Sequence, residues 1–87
     1  MKKFRLSIYD TENLVLRGWL VKKRKEMNLT QRQLAEKLQT VHSLVGKVEK
    51  GERGLDVIEF FKYCNALNAN PNELLNLIEN LTTPQNN

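Results

Sequence analysis

The sequence predicts an all-α protein, a compact bundle of five short helices in which two neighbours are joined by a turn too short for them to lie parallel. Three observations carry this. Apolar residues recur at the i, i+3, i+4 spacing of half-buried helices from about residue 11 to residue 81. Helix-start signals, a capping side chain with a supporting residue three positions on, stand at Thr30, Asp56 and Asn70. Finally, 87 residues with 40% hydrophobic and 28% charged side chains suit one small globular domain and little else.

The elements follow in order. Residues 1–10 form an N-terminal arm in which Phe4, Leu6 and Ile8 alternate with Arg5 and Ser7, the period of a strand. A lone strand needs a partner, so it either pairs with its own copy or stays irregular. Asp10 or Thr11 caps a first helix running to about Met27, with Leu16, Trp19, Leu20, Arg24 and Met27 on one face and Asn28 as the stop. Thr30 and Gln33 make a capping box for a second helix that turns Leu34, Ala35 and Leu38 inward and ends near Leu38. Gln39 and Thr40 form the turn. A third helix is expected from Val41, capped by Thr40, with Val45 and Val48 inward, Leu44 at the edge and Gly51 as its end. Asp56 and Glu59 start a fourth, backed by Val57, Phe60, Phe61, Cys64 and Leu67 and stopped by Asn68. Asn70, Pro71 and Glu73 start a fifth, whose apolar stripe is Leu74, Leu75, Ile78 and Leu81. The bundle thus spans residues 11–81, and 82–87 form a polar tail. The second and third helices must cross steeply, which is a helix-turn-helix.

Charge is distributed unevenly. The chain carries +4 overall, but residues 17–53 hold ten lysines and arginines against four acids, a net of +6, while residues 54–87 sum to −3. A polyanion would be held by the middle of the chain. Enzyme classes are poorly served. One histidine, His42, one cysteine, Cys64, and scattered acids offer no nucleophile–base pair and no metal cluster, so no metal, cofactor or small-molecule ligand is expected. A single thiol fits a reducing cytoplasm, and on the apolar side of a helix it reads as an inert small hydrophobe. Trp19 likewise reads as core or interface. No apolar run approaches the ~18 residues of a membrane span, and Arg5, Ser7 and Asp10 interrupt any signal-peptide core after Met1-Lys2-Lys3.

The stretch from Arg24 to Leu38, with Leu29-Thr30-Gln31 and Leu34-Ala35, followed by Val45-Gly46-Lys47-Val48-Glu49-Lys50-Gly51-Glu52-Arg53, resembles the XRE family, which includes the Cro and repressor proteins of lambdoid phages. The resemblance covers roughly residues 16–76. It implies a lambda-repressor-like bundle whose second helix braces the third in the DNA major groove. Three positions depart from the family pattern. Gln39 stands where glycine is usual, at a cost of about 1 kcal/mol if the left-handed conformation is kept. Val41 replaces a serine cap, and Lys23 stands at a common core leucine.

Site residues follow from this frame. By the resemblance His42, Ser43 and Lys47 face base edges, where lysine can donate to guanine and serine and histidine can donate or accept. Gly46, with no side chain, permits close approach of a base or thymine methyl. Gln31 sits where the family meets a phosphate, and its amide could also brace His42. Lys50 and Arg53, flanking the end of the third helix, should bind phosphates, as should Arg32, Lys22 and others of the Lys22–Lys25 run, the rest being a solvated face. Arg24 and Glu49 match a family ion pair between the first and third helices. The expected function is a sequence-specific, cytoplasmic, nucleoid-associated transcriptional regulator, a repressor binding an inverted-repeat operator in double-stranded DNA as a homodimer. The dimer surfaces are the arm (Phe4, Leu6, Ile8) and the last helix (Leu74, Leu75, Ile78, Leu81). The alternatives are an antitoxin, which would also bind a toxin protein, and an interaction module that has lost DNA binding; the basic middle argues against the latter.

Overall fold

The computed structural model describes residues 11–82, and within them the chain forms five helices and no strand: α1 (Thr11–Glu26), α2 (Gln31–Lys37), α3 (Ser43–Lys50), α4 (Val57–Ala66) and α5 (Pro71–Thr82). The expected strand of Phe4, Leu6 and Ile8 and the tail from residue 83 onward lie outside the described residues. No described helix is long and apolar enough to cross a membrane.

Local chemistry sets most of the helix ends. Thr30 accepts from the Gln33 amide while the Gln33 side chain accepts from the Thr30 amide, and Asp56 and Glu59 repeat the arrangement at α4. The Asn70 side chain accepts from the Asn72 amide at the start of α5. Asn28, Gln39, Asn68 and Gly51 take positive φ, at 58°, 57°, 54° and 83°, and reverse the chain after four successive helices. Gly51 cannot be replaced cheaply, because its φ of 83° strains any side chain; a Cβ there would also stand 2.7 Å from the Arg17 guanidinium carbon, and that flexible side chain would have to move aside. Gln39 keeps the left-handed conformation that glycine would normally supply.

Packing assembles around Trp19 and Leu20 of α1, Leu34 and Ala35 of α2, Val45 and Val48 of α3, Tyr63, Cys64 and Leu67 at α4 and its end, and Leu74 of α5, all buried. Ala35 and Val45 are fully buried where α2 crosses α3. Trp19 also meets Phe60, with ring centroids 6.3 Å apart.

Several expectations from the sequence are corrected here. The third helix starts at Ser43 rather than Val41, and the capping position falls on His42 rather than Thr40: His42 already has helical dihedrals, φ −61° and ψ −32°, and no side-chain cap hydrogen bond is made there. Val57 and Phe61 are 79% and 56% exposed. Val57 sits at the very start of α4, and Phe61 lies about 100° around the helix from Phe60, off the stripe 60, 63, 64, 67 that faces the bundle. Tyr63 takes the place assigned to Phe61, and the i, i+3, i+7 relation from Phe60 through Tyr63 to Leu67 was the signal for it. Met27 is exposed, beyond the end of α1. Lys23 does not fill the core; its ammonium bonds Glu73 of α5 at 3.0 Å and Glu26 at 3.5 Å, and lies 5.7 Å from the Trp19 ring.

Candidate nucleic-acid interface

α3 is eight residues long, and its two faces differ sharply. Val45 and Val48 are buried under α2 and α1, so the opposite face is left to solvent. On that face His42, Ser43 and Lys47 are exposed, and Gly46 is half-buried between them. His42 Nε2 stands 4.0 Å from Glu36 of α2, an ion pair only when the imidazole is protonated. Lys50 is exposed in the last turn of α3, and Arg32 and Lys22 are exposed on α2 and α1.

What holds α3 in place is a four-point junction around Glu49. Arg24 Nε donates to Glu49 Oε2 at 2.7 Å and Arg24 Nη2 to Oε1 at 3.1 Å, a bidentate pair. Arg24 Nη1 donates to the Leu29 carbonyl at 2.8 Å, so one guanidinium ties α1, the segment before α2, and α3. The two side chains are only 10% and 8% exposed. Gln31 completes the junction: its Nε2 donates to Glu49 Oε1 at 2.8 Å. A carboxylate only accepts, so the amide orientation is fixed chemically. The sequence left His42 as a partner for Gln31; the structure assigns that amide to Glu49 instead, and a Cβ on Gly46 would meet Gln31 Oε1 at 3.4 Å. Gln31 therefore lies along α3 beside Gly46.

Arg53, expected to meet phosphate, is engaged within the protein. It forms a bidentate pair with Glu59 at 2.8 and 3.1 Å and donates to the Gly54 carbonyl. The Arg53 guanidinium, and then the Asp56 amide, hold the Glu59 carboxyl down at about 2. Arg53 thus braces the loop between α3 and α4 while remaining partly exposed.

Two further expectations concern the dimer surfaces. Leu74 is buried in the core of its own chain, with 3% of its surface accessible, so it is not available to a partner; it points inward because α5 packs on α1 through Leu74 and the half-buried Ile78. Leu75 and Leu81, on the other side of α5, are exposed. Cys64 is fully buried, and burial pushes its thiol up to about 11. No group of metal-ligating side chains occurs among the described residues.

With this geometry in view, the comparisons with known proteins agree. The helix-turn-helix family matches residues 20–74, which contain α2, the turn, α3 and α4. Among solved structures, an XRE-family like protein from Pseudomonas syringae pv. tomato str. DC3000 superimposes with a TM-score of 0.77 at 36% sequence identity, covering 86% of this chain and 94% of that one. No curated protein matches the sequence. The family is one of DNA-binding transcriptional regulators, and the matched span contains Arg24, Glu49 and the whole of α3. The chain belongs to the XRE-type helix-turn-helix family.

Proposed function

We propose that the protein is a sequence-specific transcriptional repressor that binds an inverted-repeat operator as a homodimer. The observation that carries this is the exposed polar face of α3, with His42, Ser43 and Lys47 outward on a helix locked from behind by the buried Arg24–Glu49 pair. A reading helix must hold its donors in place before DNA arrives, and the locked junction does so. In this reading His42, Ser43 and Lys47 meet base edges, and Gly46 admits a base or methyl close to the helix. Lys50, Arg32 and Lys22 meet phosphates, while Gln31 approaches the backbone from the start of α2. Arg53 reaches phosphate only with the part of its guanidinium that Glu59 leaves open. Dimerisation uses Leu75 and Leu81 with the edge of Ile78, joined by the arm residues Phe4, Leu6 and Ile8.

The test separates reading from holding. A base edge differs between sequences, while a phosphate does not. Lys47→Ala and Ser43→Ala should each weaken a selected operator by roughly 1–3 kcal/mol and leave random duplex nearly unchanged. Lys50→Ala should weaken both alike and make the dependence of log K on log salt shallower by about one. Fluorescence anisotropy against operator and random duplexes over a salt series measures all three. An unchanged operator-to-random ratio in folded Lys47→Ala, Ser43→Ala and His42→Ala proteins removes the assignment. A monomer at high micromolar concentration with and without DNA, by sedimentation, removes the homodimer.

A further inference from the structure

One exposed apolar side chain stands at the leading edge of α3 with nothing among the described residues to cover it. Val41, in the turn directly before His42 and Ser43, is 66% exposed. Its backbone is not loose: the Leu44 amide donates to the Val41 carbonyl at 3.1 Å, and Thr40 just before it is tied to Ala35 O at 3.0 Å. Side-chain freedom is also small, because a β-branched residue has few χ1 choices. The result is a fixed, two-methyl knob beside the polar reading groups.

The choice of residue has a cost that α2, α4 and α5 do not incur. The other helices that follow turns begin with a side-chain cap: Thr30 bonds the Gln33 amide at 3.0 Å, Asp56 the Glu59 amide at 2.8 Å, and Asn70 the Asn72 amide at 2.9 Å. At α3 His42 already has helical dihedrals, φ −61° and ψ −32°, and no side chain caps it. A serine or aspartate at position 41 would restore a cap. The chain instead carries an aliphatic group at the one helix start that faces the groove. The only apolar group on a major-groove base edge is the C5-methyl of thymine. Building on the DNA-reading role of α3 proposed above, we infer that Val41 is a specificity-determining residue that packs against a thymine methyl in each half-site.

The experiment deletes methyl groups from both sides. An operator is selected in vitro with the full-length wild-type chain, and each thymine of a half-site is then replaced, one at a time and symmetrically, by deoxyuridine, which lacks only the methyl. The wild type should lose about four-fold per half-site at one thymine position, the equivalent of one buried methyl-sized group at ~0.8 kcal/mol. In Val41→Ala that loss disappears, while other operator positions keep their effects. Val41→Ser should melt at a higher temperature than wild type, having gained a cap, and yet show no methyl dependence at that thymine. Thermal melts establish that both variants are folded. The inference is overturned if no deoxyuridine substitution weakens the wild type, or if the substitutions weaken Val41→Ala as much as wild type. It is equally overturned if Val41→Ala weakens operator and random duplex alike, the signature of a sugar contact. In each of these cases the DNA-reading role of α3 stands. A wild type that enriches no sequence at any salt concentration overturns that role, and this inference with it.

Discussion

Replacing Arg24 by methionine should expose how much of the fold hangs on one junction. Methionine retains most of the apolar stem, so the change is chiefly in charge and hydrogen bonding. Arg24 makes two bonds to Glu49, at 2.7 and 3.1 Å, and one to the Leu29 carbonyl at 2.8 Å. Without it the Glu49 carboxylate, 8% exposed, keeps only the Gln31 amide. Stranding a fully buried charge costs about 3–5 kcal/mol. The remaining Gln31 bond and the rim of solvent access place this site at the lower end, about 3 kcal/mol, a large part of the stability of a small domain. Glu49→Leu should be comparably damaging, because it strands the guanidinium. The double variant, Arg24→Met with Glu49→Leu, removes both charges and should lie within about 1 kcal/mol of wild type. Urea unfolding of the four proteins, read as midpoint shifts at constant slope, gives the cycle. A coupling energy of at least about 2 kcal/mol is expected; one below about 0.5 kcal/mol, the range of solvent-exposed pairs, would refute the reasoning.

Other measurements test neighbouring features. Gln39→Gly should raise stability by up to about 1 kcal/mol, because it relieves a left-handed glutamine at φ 57°, with part of the gain returned through the freer unfolded chain; a loss on urea unfolding would show that the Gln39 side chain contributes contacts of its own. Glu59, held at about 2 in the folded protein against 4.5 as its ordinary value, stabilises the fold fully above pH 4.5, and that contribution should fade as pH drops from 4.5 toward 2. Arg53→Gln should weaken this part of the acid dependence in thermal melts, and an unchanged acid limb would contradict the bidentate pair. The Cys64 thiol, buried and pushed up to about 11, should react with an aromatic disulfide reagent only as fast as the protein opens; rapid labelling of folded protein would place it at the surface.

The helix boundaries were legible in the sequence wherever they depend on short-range chemistry. Thr30 with Gln33, Asp56 with Glu59, Asn70 before Pro71, and the stops at Asn28, Gly51 and Asn68 all act across a few residues, so residue type and spacing were sufficient. The pairing of Arg24 with Glu49 spans 25 positions and was reached through the family resemblance, since nothing in local spacing joins them. Tertiary structure decided the rest, because burial and partner choice depend on what lies opposite a side chain. Phe61 and Val57 look like core by composition, but a helix faces its neighbours over a limited arc, and α4 turns Tyr63 rather than Phe61 into it. Leu74 and Leu75 are adjacent and chemically identical, yet the 100° step between them puts one in the core and the other in solvent. Gln31 was placed toward DNA by the family resemblance, and Arg53 by its charge and its position at the end of the third helix. Only the folded chain brings Glu49 and Glu59 within hydrogen-bond reach of them, and a carboxylate 2.8 Å away takes the donor.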